Sequence, residues 1–405
     1  VAQVRAVRPG AIESWEQEAY VLDARPLEAT RARRLQPSEE TQRLFRGCLL
    51  GGAVGDALGA PVEFLSRAEI IERFGASGIR DMVPAYGKRG AITDDTQMTL
   101  FTADGALRSH VRGSLRGSCH PPSVMHYAYL RWLHTQGRSA KLKSPELNTG
   151  WLMTHQELFD TRAPGNTCLS ALAGGDAIGE PARNNSKGCG GVMRVAPIGM
   201  LYAALGEREA DRYERAFELG CDAAALTHGH PTGFLTAGVM AVLVLALLEG
   251  KSLESAVDLA LPHLCDCERH EETLAALKQA RALARNATVP VDAAIAELGA
   301  GWVAEEALAI GIYCALRAEN FEDGVVMAVN HGGDSDSTGL IAGHLLGIML
   351  GVEAIPERWL APLELRTVLA AVSDDLATVA DWPLSQFPDE SSGELQDLYL
   401  ERYPA

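Results

Sequence analysis

The chain has 405 residues, 47% hydrophobic, 22% charged and 6% aromatic, with a net charge of −17. That composition is globular and long enough for one large or two ordinary domains. So acidic a chain is a poor binder of nucleic acid or anionic membrane through its overall field, although a local basic pocket for phosphates is not excluded. The eight cysteines are scattered without a Cys-x-x-Cys pair, which fits incidental thiols in a reducing, cytoplasmic setting rather than a zinc site.

In chain order, residues 1–40 read as an extension or arm. They carry Arg31, Arg33, Arg34, Pro9, Pro26 and Pro37 and no sustained apolar period, with room for one short helix near 12–20. No apolar core of a signal peptide is visible among the first residues. Ser38-Glu39-Glu40-Thr41 has the form of a helix start, and the helix behind it, through Leu44, Phe45, Cys48, Leu49, Gly52, Ala53 and Ala57, carries repeated glycine and alanine that let another helix come close. Residues 41–405 read as one domain. The spacing of apolar residues predicts further helices over 96–110, 123–136, 151–160, 191–204, 208–226, 232–249, 252–262, 268–285, 301–317, 320–330, 338–351 and 363–378. The longest apolar run, Phe234 to Leu248, is shorter than the ~20 residues that cross a bilayer and reads as a central helix buried on all sides. Alternating β-branched strands are nearly absent, so the fold class is all-α. Turn chemistry marks loops at Arg162 to Thr167 and at Asn184 to Gly191.

Two aspartate clusters stand out, about 240 residues apart. Thr93-Asp94-Asp95-Thr96 and Gly332-Gly333-Asp334-Ser335-Asp336-Ser337-Thr338 each open an apolar helical stretch. Carboxylates beside hydroxyls on rigid helix starts are hard oxygen ligands suited to Mg²⁺ or Mn²⁺. Brought together they would form a two-metal site, which implies an enzyme. Plain helix capping is the competing reading of either cluster alone. A cap needs one such residue, however, and adjacent carboxylates repel unless a cation lies between them. A calcium loop starting at Asp334 fails, because its twelfth position is Leu345 rather than glutamate.

The ordered motifs carry a resemblance. Gly47-Cys48-Leu49-Leu50-Gly51 through Gly55-Asp56-Ala57-Leu58-Gly59-Ala60-Pro61-Val62-Glu63-Phe64 resembles the first motif of the ADP-ribosylglycohydrolase family, and Thr93 to Thr96 its second. Pro164-Gly165-Asn166-Thr167, Gly190-Gly191-Val192-Met193-Arg194, Thr227-His228-Gly229-His230 and Gly332 to Ser337 follow in the family's order. The resemblance implies a compact orthogonal helical bundle around two divalent cations, Mg²⁺ or Mn²⁺, that removes ADP-ribose from arginine, serine or other conjugates. It implies metal ligation by Thr93, Asp94, Asp95, Asp334 and Asp336, with Ser337 standing where the family often has threonine. Glu63 matches the glutamate that ends the first motif. Cleavage of a ribosyl bond passes through an oxocarbenium-like centre and needs carboxylates and a proton for the leaving group, and Glu63, Asp94 and Asp95 are the candidates. The segment Cys119 to Trp132 holds no acidic residue, a departure from relatives that place one after the second motif.

Substrate contacts are expected from Gly165 and Asn166, from Ser186, Lys187, Gly188, Gly190, Gly191 and Met193, and from His228. Backbone N–H groups of the glycine-rich turn suit a pyrophosphate, Lys187 adds charge, and His228 is placed to stack on adenine or ribose; a surface turn and a structural histidine are the alternatives. His230 and His331 read as structural. The expected activity is a Mg²⁺-dependent hydrolase acting on ADP-ribosylated arginine of a protein substrate. The other reading is an immunity or binding protein whose arm, with Trp15 and Tyr20 among its arginines, inserts into an ADP-ribosyltransferase toxin.

Overall fold

A computed structural model describes residues 34–143, 147–206, 211–388 and 390–405. The reading of residues 1–40 as an arm falls largely on 1–33, outside the described residues. The fold is built around a pair of antiparallel helices, α1 (Glu39–Gly59) and α14 (Ser335–Leu350). Ser38 caps α1 by accepting from the Thr41 backbone N–H at 3.1 Å, and Glu39 and Glu40 complement the dipole of its first turn. A β-carbon built on Gly47 would lie 2.1 Å from the Gly347 carbonyl oxygen, on Gly51 2.4 Å from that of Gly343, and on Gly55 1.9 Å from that of Gly339. Only hydrogen fits along this seam, so the two backbones run in contact. One consequence governs the site: the end of α1 lies against the beginning of α14.

The next long helix, α3 (Asp94–Arg116), follows the short α2 (Arg67–Phe74) and a hairpin of β1 (Pro84–Ala85) and β2 (Lys88–Arg89). Tyr86 and Gly87, both with positive φ, form the hairpin turn. Helix α4 (Pro121–Thr135) packs on α3. After it come α5 (Asn166–Gly174), α6 (Ala196–Leu205), α7 (Arg212–Ala225) and α8 (Pro231–Leu248). Every residue of α8 from Leu235 to Leu247 is buried, so its apolar length serves the core of the bundle. After it come α9 (Leu253–Cys265), α10 (Glu271–Arg285), α11 (Val291–Leu298), α12 (Ala304–Arg317) and α13 (Phe321–Val329), of which α9, α10 and α12 pack against it. Three helices follow α14: α15 (Glu357–Leu360), α16 (Arg366–Thr378) and α17 (Glu390–Arg402). Arg34 reaches α16, donating to the Ala371 carbonyl at 3.1 Å and pairing with Asp375.

The fold is all-α, as its periodicity predicts. Three departures have local causes. The expected helix over 151–160 is two short 3₁₀ turns, Trp151–Thr154 and Gln156–Phe159, separated by extended backbone at His155. Helix α3 runs past the expected end at 110 until Gly117, in the left-handed region, stops it. Helix α2 escaped the periodicity because it is only eight residues long, although its capping box, Ser66 with Glu69, was readable.

Candidate active site

The α1–α14 seam delivers Glu63 and Asp56 from one side and Asp334 and Asp336 from the other. Helix α3 supplies Asp94 and Asp95. Its start is fixed by Asp56, whose carboxylate accepts from the backbone N–H of Thr93 at 3.0 Å and of Thr96 at 3.2 Å. Thr93 is the cap of α3, accepting from the Asp95 N–H at 3.3 Å. Asp334 occupies the corresponding cap position of α14 but makes no capping bond; its Oδ2 accepts instead from the Cys189 thiol at 2.7 Å. For Asp334 this removes the plain-cap reading. One oxygen each from Glu63, Asp334 and Asp336 lie within 4.8 Å of one another. The two aspartate clusters meet as well, since Ser337 Oγ donates to Asp95 Oδ2 and Asp94, Asp95, Asp334 and Asp336 line one cavity.

The convergence has an electrostatic cost. Burial, reinforced by the neighbouring carboxylates, pushes Asp94, Asp95 and Asp334 well above the usual carboxylate range. Asp56 is pushed up to about 7 and Glu63 to about 10 by burial first and the Asp336 charge second. Among the described residues no lysine or arginine lines the cavity of about 200 Å³ in which these groups meet. Glu63 Oε2 is buried and has no hydrogen-bond partner among the described residues. An unpartnered buried carboxylate oxygen, inside an all-oxygen donor set that opposes its own ionisation, fits hard divalent cations. Two helix N-termini partly offset the charge.

The cavity is walled by Gly165, Asn166, Gly188, Gly190, Met193 and His228 of the predicted set. Gly165 donates its N–H to Asp94 Oδ2 at 3.2 Å from the start of α5. A β-carbon on Gly190 would lie 2.9 Å from His228 Cε1 and from Cys168 Sγ, so glycine keeps this wall open. Burial, with the Arg194 guanidinium second, lowers His228 to about 3 and keeps its ring neutral. Ser337 turns inward, donating to Asp95 Oδ2 at 2.7 Å.

Three predicted substrate contacts lie outside the cavity lining, as does Thr93 of the predicted metal ligands. Lys187 points to Glu305 and to Glu272 at 3.1 Å, so its charge is engaged elsewhere. Gly191 packs beneath, against Ala224 and the Gly233 carbonyl. The Ser186 hydroxyl is 3.2 Å from that of Thr167 and accepts the Gly188 N–H at 3.3 Å, shaping the turn. His331 and His230 are structural: His331 Nε2 lies 2.9 Å from Thr338 Oγ1, and His230 caps α8.

A model of the ADP-ribosylglycohydrolase family matches residues 37–384. The chain belongs to the ADP-ribosylglycohydrolase family. It is 27% identical over 331 residues to the glycohydrolase of ADP-ribosyl-dinitrogen reductase from Rhodospirillum rubrum, covering 79% of this chain and 90% of that one. It is 25% identical over 349 residues to ADP-ribosylhydrolase ARH3 of Bos taurus, covering 78% and 87%. The ADP-ribosylarginine hydrolase Tri1 of Serratia proteamaculans is 23% identical over 354 residues, covering 85% and 82%. Among solved structures, one titled an ADP-ribosylglycohydrolase-related protein complex matches with a TM-score of 0.55 and 26% identity, over 84% of this chain and 99% of that one. An ADP-ribosylglycohydrolase hydrolyses ADP-ribose glycosidic linkages, and the family is metal-dependent.

In this ADP-ribosylglycohydrolase, sequence reasoning missed several wall residues. Asp56 stood inside the first motif, but its grip on the start of α3 is a contact across 37 residues. Cys189 and Trp302 meet at the cavity because the Cys189 N–H donates to the Trp302 carbonyl at 3.2 Å, beside a bridge between Gly188 and Val303. Trp302 stacks on the exposed Phe64, ring centroids 6.0 Å apart. No local pattern announces such a pairing.

Proposed function

We propose that this enzyme hydrolyses the N-glycosidic bond joining ADP-ribose to arginine side chains of proteins, with two divalent cations, Mg²⁺ or Mn²⁺, held by Asp94, Asp95, Asp334 and Asp336 together with Thr93 and Ser337. The observation that carries this reading is the meeting of both aspartate clusters and Glu63 in one cavity with no lysine or arginine among the described residues of its walls. Cations bound there would anchor the adjacent ribose hydroxyls and polarise an attacking water.

The chain's own residues supply the rest. Glu63, with its unpartnered Oε2, is the group placed to move a proton between water and leaving group. Gly188 and Gly190 let the substrate approach the backbone, and the neutral His228 ring forms part of the same wall. Asp56 and the Arg162 carbonyl, which accepts the Asp94 N–H at 3.2 Å, hold the acids in register. An arginine linkage is favoured by charge, since an acid-walled cavity attracts a guanidinium leaving group. The names of relatives include an ADP-ribosylarginine hydrolase, which is consistent with that linkage.

Incubation with separately arginine-, serine- and cysteine-linked ADP-ribosyl proteins, with and without Mg²⁺, tests the reading. Metal-dependent release of ADP-ribose from the arginine linkage is expected. Release from serine but not arginine would overturn the linkage and leave the enzyme class intact.

A further inference from the structure

A second cavity, of about 800 Å³, opens at the opposite end of α3 from the acidic centre. Arg108, Arg112 and Arg116 recur every fourth residue, so they share one face of the helix. All three line the cavity, and Arg131 of α4 joins them. At ~1.5 Å rise per residue, Arg112 lies roughly 27 Å along the helix from Asp94. The two sites are therefore separate but share one rigid element.

The charges do not cancel locally. Asp104 engages Arg108 at 2.9 Å and also Arg131, forming the floor. Among the described residues Arg112 makes no ion pair, and Arg116 makes one long contact, 3.4 Å to the Ala405 backbone oxygen. Asp222 feels the charge of His120, whose ring bonds Ser123 Oγ at 2.8 Å on the cavity wall. Four arginines thus share a concave site in a chain whose net charge is −17. Planar guanidinium forks match the oxygens of phosphate better than a point charge does. The volume exceeds one inorganic anion and lies in the range of small-molecule pockets. Val124, Tyr127 and Ile178 give the same cavity an apolar wall.

We propose that this cavity binds an organic phosphate, its phosphoryl group on Arg112 and Arg116 and its apolar body against Val124, Tyr127 and Ile178. The inference is independent of the linkage hydrolysed at the acidic centre. A concave cavity of this volume with an apolar wall favours a small molecule over an acidic protein segment.

The test is calorimetric titration of the full Mg²⁺-loaded chain with ADP, ribose 5-phosphate, inorganic phosphate and adenosine, repeated on the Arg112→Gln/Arg116→Gln variant. Arg112 is only partly buried and Arg116 is exposed, so the variant should fold, with its melting temperature as the control. Arg112→Gln alone is the reserve. A saturable phosphate-dependent binding event should weaken by about tenfold or more in the variant, with unchanged turnover. ADP and ribose 5-phosphate tell a nucleotide from a sugar phosphate. Identical isotherms for both proteins, or inorganic phosphate binding as tightly as the organic phosphates, would overturn the proposal.

Discussion

Asp95 and Asp104 lie nine residues apart on the same helix, and both are buried. Asp104 is gripped by Arg108 and Arg131, whose guanidinium groups outweigh its burial and hold its carboxyl below the usual range. Glu364 is held down in the same way by Arg162 and Lys88. Asp95 has Asp336, Asp94, Asp56 and Asp334 as neighbours instead, and its carboxyl is driven upward. Where an acid serves the fold, the chain supplies its own cation. At the start of α3 the described residues supply none, and concentrate acids that fold more easily when neutral. That contrast is the ground on which we propose an external cation for the centre.

The contrast breaks if the two kinds of acid respond alike to removal. Asp336→Ala should reduce turnover by about 10³-fold or more, because it removes a proposed metal ligand and transition-state support together. Its metal-free melting temperature should hold or rise, since a source of repulsion is gone. Asp104→Ala should behave oppositely. Leaving Arg108 and Arg131 without their carboxylate should destabilise the chain by about 3–5 kcal/mol, read by chemical denaturation, while turnover per folded molecule is kept. A fall in metal-free stability for Asp336→Ala as large as that for Asp104→Ala would erase the distinction.

Smaller effects sharpen it. Gly55→Ala forces a methyl against the Gly339 carbonyl and should cost about 1–3 kcal/mol. Because the same seam sets Asp334 against Glu63, half-saturation by Mg²⁺ should also shift upward in activity titrations.

The response to pH follows from the raised carboxyls. Glu63, at about 10, and Asp56, at about 7, keep protons in the folded chain that the unfolded chain sheds near 4 to 4.5. The native state then binds more protons, so this contribution is full below that range and is lost as pH rises towards 10. The metal-free melting temperature should fall between about pH 5 and 9. Mg²⁺ competes with those protons, and its stabilising shift should grow over the same interval. A Mg²⁺ shift that shrinks with rising pH would count against the cation site.

Lys187→Ala should do least, within about 1 kcal/mol of stability and with little change in KM, because its partners Glu305 and Glu272 are part of a partly exposed ion pair.

What could be read from the sequence was what is encoded locally. The acid clusters marked the starts of α3 and α14, and the run from Phe234 to Leu248 marked α8. The glycines of α1 announced a close helix neighbour without saying which one. What escaped depended on contacts between distant segments. Lys187 looked free for a pyrophosphate because Glu305 stands 118 residues away. Trp302 and Cys189 gave no signal because a backbone pairing, not a motif, sets them side by side. Arg108, Arg112 and Arg116 had helical spacing in plain view, but their cavity exists only once α4 and residues 404–405 close on it.

The most direct test is crystallography of the full chain grown with Mn²⁺, with data collected at the manganese edge. Two anomalous peaks among Asp94, Asp95, Asp334 and Asp336 are predicted. An acidic centre without a peak, together with full turnover in chelator, would contradict the account.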